Sequence, residues 1–510
     1  MYPGAHAQQD PDRPAVIAAE DGTVLTYRDL DDASMRLAQL LYADGLRPEQ
    51  HIAFLSTNRL EVFGIYWAGL RSGLFVTAVN HHLSPAEAAY VINDCGAEVL
   101  IVSADLADLA VAIADDIPQV RRRLAFGGPV PGYESYEEAV AAMPAERLAY
   151  EPRGADMLYS SGTTGRPKGI RPHPTGRLVD DPENPYAQLF GAIYSFDKNT
   201  RYYSPGPIYH AAPLRFSAFV HALGGTVVMA RQFDAEAALA AIQRHRATHS
   251  QWVPTMFVRM LKLPPEVRER YDVSSMKVAV HAAAPCSVEV KRAMMDWWGP
   301  VLHEYYSSTE GNGVSFIGPQ ESLAKPGSVG KAGLGTIHIC DDSGAELPIG
   351  QTGVVYFERD LVAFSYHNDD ERTEAARHPE HELWTTTGDI GHIDEDGYLF
   401  LTDRKAFMII SGGVNIYPQE IEDCLTMHPS VLDVAVIGIP DEEMGEQVCA
   451  VVQPAPGVVP SEELATELKD FVRSRIAHYK TPRVVDFVDA LPRSAAGKLV
   501  KRVLKERYTT

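Results

Sequence analysis

The sequence predicts an α/β fold, with a large N-terminal domain of layered sheets and helices over residues 1–402 and a small α+β C-terminal domain over residues 407–510. Three observations predict it. Helix-period segments alternate with short apolar strands as far as about residue 340. Between Gly335 and Thr402 the texture changes to shorter strands and glycine turns. The remaining hundred or so residues carry their own strands and helices, enough for a small separate core.

Taken in order, Thr26 is placed to cap a helix whose apolar positions are Leu30, Ala33, Leu37, Leu40 and Leu41, and Gly45 ends it. A strand follows over Ile52 to Leu55. Ser84-Pro85-Ala86-Glu87 is a capping box with proline at the first helical position, and Val99 to Val102 is the next strand. Thr226 to Ala230 and Lys277 to Val280 continue the alternation of a largely parallel sheet. Asp394-Glu395-Asp396-Gly397 reads as a hairpin turn; the remaining ligand spacing of a calcium loop is absent. In the tail, a strand over Met408 to Ile410, a helix opened by Pro418, a strand over Val434 to Ile437 and a helix from Ser461 to Ile476 are expected.

The chain has 510 residues, 45% apolar and 22% charged, which is a globular profile too long for one ordinary core. Its formal charge of -22 argues against binding a nucleic-acid backbone. Cys95, Cys286, Cys340, Cys424 and Cys449 form no CxxC pair and read as free thiols. Neither a secretory signal nor an apolar run of roughly 20 residues is visible, so a cytoplasmic protein is expected, with peripheral membrane contact left open.

The strongest local signal is Ser160-Ser161-Gly162-Thr163-Thr164-Gly165-Arg166-Pro167-Lys168-Gly169. Its glycines permit close backbone approach to an anion, its amides and hydroxyls can wrap phosphate oxygens, and Lys168 adds charge. The lysine position and glycine spacing differ from the GxxxxGK[ST] loop of P-loop NTPases. Further along, Tyr305-Tyr306-Ser307-Ser308-Thr309-Glu310 brings an aromatic face, hydroxyls and a carboxylate within six residues. Asp389 and Arg404 flank a short hydrophobic hairpin, and by themselves they read as a surface Asp–Arg pair.

These segments resemble the adenylate-forming superfamily of acyl-CoA synthetases, nonribosomal adenylation domains and beetle luciferases. The resemblance recurs at Pro207 and His210, Ala282 to Pro285, Tyr306 to Glu310, Gly388-Asp389, Asp403-Arg404 and Gly497-Lys498, in the family's order over nearly the whole chain. It implies ATP, magnesium and coenzyme A as cofactors or co-substrates, with a small-molecule carboxylic acid as the group activated. It implies a phosphate loop of Ser160, Ser161, Gly162, Thr163, Thr164, Gly165 and Lys168. Ala283, Ala284 and Pro285 would wall the nucleotide pocket, Tyr306 would stack on adenine beside Ser307, and Asp389 and Arg404 would hold ribose. Thr309 would meet the α-phosphate, Glu310 and Thr164 would serve magnesium, and His210 would stand beside the acyl and phosphate sites. Lys498 would be the adenylation lysine.

The acyl pocket would be lined by Trp252, Val253, Met256, Phe257 and Ala282, with core packing as the alternative for Gln251 to Phe257. The family usually has glycine where Ala282 stands. The resemblance also implies that the small domain swings about residues 403–406, bringing Ser411, Gly412 and Gly413 toward the thiol channel. Ala406 departs from the Asp or Lys that many relatives carry. The segments around Val280–Cys286 and Glu304–Ser307 look like the bacterial branch that includes bile-acid and sterol-type ligases, so a fatty, aryl or steroid acid is expected. Transfer to a carrier protein, luciferase-type oxidation and a non-catalytic nucleotide-binding role are the rival readings, and a homodimer is left open.

Overall fold

The computed structural model describes residues 1–160, 167–404, 407–412, 414–441, 443–493 and 499–508. The N-terminal part is built on two large sheets. One is wholly parallel, in the order Glu134–Ser135, Arg122–Phe126, Ala97–Ser103, His51–Leu55, Phe75–Val79, Ala155–Asp156. The other runs parallel through Pro14–Ala18, Thr226–Met229, Arg201–Ser204, His249–Trp252, Val278–His281 and Leu302–Ser307. It then turns antiparallel through Val314–Ile317, Ser328–Leu334, Leu399–Arg404, Asp389–Ile393, Gly353–Glu358 and Thr336–Cys340. The change of strand direction begins at Val314–Ile317, ahead of the change of texture expected from Gly335.

Helices cover these sheets as the periodicity predicts. Tyr27–Ala43 is closed at its start by a reciprocal box between Thr26 and Asp29, each backbone N–H lying 3.1 Å from the other's side-chain oxygen. Its Leu30, Leu37, Leu40 and Leu41 are buried, and Gly45 ends it at φ +88°. Ser84 and Glu87 form the second expected box ahead of Pro85–Asp94. All five cysteines are unpaired, and no helix among the described residues is long and apolar enough to cross a membrane.

The small C-terminal domain has its own five-stranded sheet, Val414–Ile416, Ile409–Ser411, Gly445–Pro454 and Val431–Asp441 in order, with Val484–Phe487 along Gly445–Pro454. Helices Pro418–Thr426 and Glu462–Arg473 pack on it over Ile421, Leu425, Leu464, Leu468 and Val472. The strand at Val431–Asp441 outruns the expected Val434 to Ile437 because its ends pair with the long partner Gly445–Pro454. The two domains touch: the Lys262 ammonium donates to the Val431 carbonyl at 2.6 Å.

Candidate active site

Three chain reversals lie at the carboxyl ends of parallel strands of one sheet, where open α/β sheets place ligands. Strand Arg201–Ser204 leads to His210, strand Val278–His281 leads to Ala282–Pro285, and strand Leu302–Ser307 leads to Thr309 and Glu310. His210 is the residue just before helix Ala211–Ala222, and its ring lies 4.4 Å from that of Tyr209. Ala283, Ala284 and Pro285 are exposed, whereas Ala282 is buried. Ala283 sits at φ +73°, a left-handed conformation that costs a non-glycine residue roughly 1–2 kcal/mol. Strain of this kind gathers at ligand sites.

A small antiparallel sheet supplies the second wall. Leu158–Ser160 pairs with Lys168–Pro172, which pairs with Phe364–Tyr366. The first pairing sets Ser160 opposite Lys168 at the mouth of the phosphate loop. The Ser160 hydroxyl is buried without a hydrogen-bond partner among the described residues. The second pairing brings Tyr366, buried and remote in sequence, to the same place. Its hydroxyl accepts from Lys168 Nζ at 2.8 Å and donates to Glu310 Oε1 at 2.8 Å, while Lys168 and Glu310 are themselves 3.2 Å apart. Burial works against the charge on Glu310, but the Lys168 ammonium and the Tyr366 hydroxyl outweigh it and hold the carboxyl below its ordinary range.

The third wall is the hairpin of Asp389–Ile393 and Leu399–Arg404, in which Asp389 stands opposite Arg404. Oδ2 of Asp389 accepts from the hydroxyls of Tyr306 at 2.7 Å and Thr387 at 2.8 Å. The resemblance-based residues Tyr306 and Glu310, Asp389, and Lys168 thus come together from three separate segments. Ser307 turns its hydroxyl to the Gly313 carbonyl at 2.8 Å, bracing the turn that carries Thr309. Ser411 pairs with Gly445 in the small domain, and Gly412 follows at φ +57° with its N–H on the Met444 carbonyl. Ser161, Gly162, Thr163, Thr164, Gly165, Gly413, Lys498 and the hinge pair Lys405 and Ala406 lie outside the described residues.

Within the expected acyl pocket, Trp252 and Phe257 follow the core-packing alternative: they have no exposed surface and pack with Trp298, Met260 and Met294 in a hydrophobic core. Strand His249–Trp252 points Trp252 into the layer beneath the sheet, and helix Pro254–Leu261 turns Phe257 to the same side. Val253 and Met256 remain partly exposed.

Sequence reasoning also missed Tyr366 and Arg215. Arg215 lies on the helix after His210, donates through Nε to Asp156 at 2.8 Å and through Nη1 to the Thr309 carbonyl at 3.3 Å. It ties the strand just ahead of the phosphate loop to the turn bearing Glu310. Neither residue has a local signature, since each acts on groups that are distant in the chain.

The donor set fits a nucleotide with its magnesium ion. A buried charged carboxylate, a serine hydroxyl without a partner among the described residues and a lysine lie at one end of the small sheet, and magnesium is usually held by one or two carboxylates together with substrate phosphates. Both side-chain contacts of Glu310 fall on Oε1, and no side chain among the described residues engages Oε2.

The family profile described as AMP-binding enzyme matches residues 4–367, and its companion, AMP-binding enzyme C-terminal domain, matches residues 420–498. The chain is similar to the long-chain-fatty-acid–CoA ligase FadD13 of Mycobacterium tuberculosis, 30% identical over 95% of this chain and 93% of that protein. It is similar to a feruloyl-CoA synthase of Amycolatopsis sp, 32% identical over 99% of this chain and 98% of that one. Among solved structures it resembles the anthranilate CoA ligase AuaEII in complex with anthranoyl-AMP, with a TM-score of 0.85, 25% identity, and coverage of 100% of this chain and 97% of that one. The chain belongs to the AMP-binding enzyme family, the adenylate-forming enzymes that include the AMP-forming acyl-CoA ligases.

Proposed function

We propose that this AMP-forming acyl-CoA ligase activates an apolar carboxylic acid and that the residues converging around Lys168, Glu310, Tyr306 and Asp389 are its adenylation site. ATP and coenzyme A are its co-substrates. In the first step a carboxylate oxygen bonds to the α-phosphorus of ATP while the bond to pyrophosphate breaks. In the second the thiolate sulfur of coenzyme A bonds to the acyl carbon, and AMP leaves with the electrons of the broken carbon–oxygen bond.

Such a displacement needs positioning and charge compensation more than covalent help. Lys168 and the amides of the phosphate loop offset charge on the departing pyrophosphate, and Lys498 does so at the α-phosphate. Magnesium, when bound, neutralises phosphate charge; Glu310, with Thr164 of the phosphate loop, would hold it. Tyr306 presents a ring for adenine, and Asp389 and Arg404 take the ribose hydroxyls. Ala283, Ala284 and Pro285 close the nucleotide wall, Thr309 meets the α-phosphate, and His210 stands at the junction with the acyl group. Ser411, Gly412 and Gly413 serve the thiol channel after rotation about residues 403–406.

The observation that carries this reading is the lysine–tyrosine–glutamate cluster at the mouth of the phosphate loop, whose Glu310 lies four residues on from Tyr306, which bonds Asp389. The proposed acyl class rests on the names of the relatives, which are ligases of long-chain fatty and aryl acids. A steroid acid belongs to the same apolar class. Five free thiols and the co-substrates support a cytoplasmic place.

A panel of carboxylic acids tests the class. If the pocket is apolar, kcat/KM for coenzyme A ester formation rises along a series of aliphatic acids by a factor corresponding to roughly 0.8 kcal/mol per methylene until the pocket is full. A preference for acetate or for amino acids would remove the proposal. Thioester formed on a carrier protein but not on coenzyme A would replace the acceptor.

A further inference from the structure

The Lys168–Tyr366–Glu310 cluster has a feature that the adenylation reading does not require. A lysine and a glutamate at the edge of a phosphate loop attract each other directly. Here they lie 3.2 Å apart, and Tyr366 bonds both. Its hydroxyl is 2.8 Å from Lys168 Nζ and 2.8 Å from Glu310 Oε1, and the Lys168 ammonium also lies over its ring, 4.2 Å from the centroid. Both contacts to Glu310 fall on the same oxygen, Oε1.

The ring is fixed from several sides. Tyr366 lies opposite Ile170 in the small sheet, its backbone N–H donates to Thr373 Oγ1 at 2.9 Å, and Phe364 meets it edge-on at 5.2 Å. Phe364 shows that this layer accepts an aromatic ring without a hydroxyl. Space-filling therefore does not account for the phenol, whereas the two hydrogen bonds do.

We infer, building on the adenylation reading, that Tyr366 is a positioning residue that clamps Oε1 of Glu310 so that Oε2 is presented to the magnesium ion of MgATP. It acts through Glu310 and Lys168 and touches neither ATP nor the acid. Partners one step removed from a metal commonly change metal affinity by 10–100-fold when lost, because they hold the ligand's orientation.

The test is Tyr366→Phe, which keeps the ring and removes only the hydroxyl, alongside Glu310→Gln, with melting temperatures confirming that both variants fold. Calorimetry measures binding of ATP with magnesium, ATP in EDTA, and AMP. The expected result for Tyr366→Phe is a roughly tenfold loss of MgATP affinity, with AMP and metal-free ATP binding unchanged. In turnover, half-saturating magnesium rises while KM for the acid stays the same. Equal losses for MgATP, metal-free ATP and AMP would make Tyr366 merely structural and overturn the inference. So would unchanged MgATP binding in Tyr366→Phe with a loss in Glu310→Gln. If Glu310→Gln itself leaves magnesium dependence untouched, the assignment of Glu310 fails instead, and the inference falls with it.

Discussion

Two hydroxyls, those of Tyr306 and Thr387, already donate to Oδ2 of Asp389 at 2.7 and 2.8 Å, and the carboxylate is buried. A buried acceptor of this kind adds a charged hydrogen bond to each ribose hydroxyl that reaches it. Asp389→Ala is expected to weaken AMP binding by about 1.5–3 kcal/mol, measured by calorimetry on protein with an unchanged melting temperature. Unchanged affinity would take Asp389 out of the site. Residues of this kind were legible in the sequence because their neighbours are local: Gly388 marks the turn before Asp389, and Tyr306, Thr309 and Glu310 share one strand end. Tyr366 and Arg215 were not legible, since Tyr366 lies 198 residues from Lys168 and Arg215 lies 94 residues from Thr309. Trp252 and Phe257 were ambiguous in the sequence for another reason. An aromatic beside a pocket and an aromatic beneath a sheet have the same sequence signature, and strand direction decides between them.

Helix Pro418–Thr426 of the small domain shows how an element can carry a pH response. Burial, eased by a hydrogen bond from Gln419 at 2.7 Å, pushes the Asp423 carboxyl up to about 7; Glu422 on its own helix and Glu289 across the domain contact raise it further, and Lys291 opposes them. The folded pKa thus exceeds the ordinary value of 3.8, so the folded protein holds this proton more tightly. Stability contributed by the protonated form is complete below pH 4 and is lost as pH rises through 7. Asp423→Asn keeps the acceptor for Gln419 and removes the titration. Its melting temperature is expected to exceed the wild-type value at pH 8, with the gap closing as pH falls toward 4. A gap independent of pH would show that this carboxyl does not titrate in that window. Element boundaries followed the caps at Thr26 and Ser84 closely. The C-terminal strands ran longer than expected because cross-strand pairing extends past the apolar core that patterning detects.

At the scale of the whole molecule, one site must serve two reactions with different partners. The proposed arrangement puts phosphate, metal and ribose contacts on the large domain, and Lys498 and the thiol-side residues on the small domain. Lys498→Ala is expected to lower adenylation by about two to three orders of magnitude while leaving thiolysis of supplied acyl-adenylate far less affected. Both effects rest on the central claim that an acyl-adenylate forms before the thiol is used. The measurement that tests it most directly is exchange of labelled pyrophosphate into ATP, with a turned-over acid present and coenzyme A absent, followed by addition of coenzyme A to the same sample. The account predicts acid-dependent exchange without the thiol, and then one AMP released per thioester made. Exchange that requires coenzyme A, or ADP and phosphate as products, would contradict it.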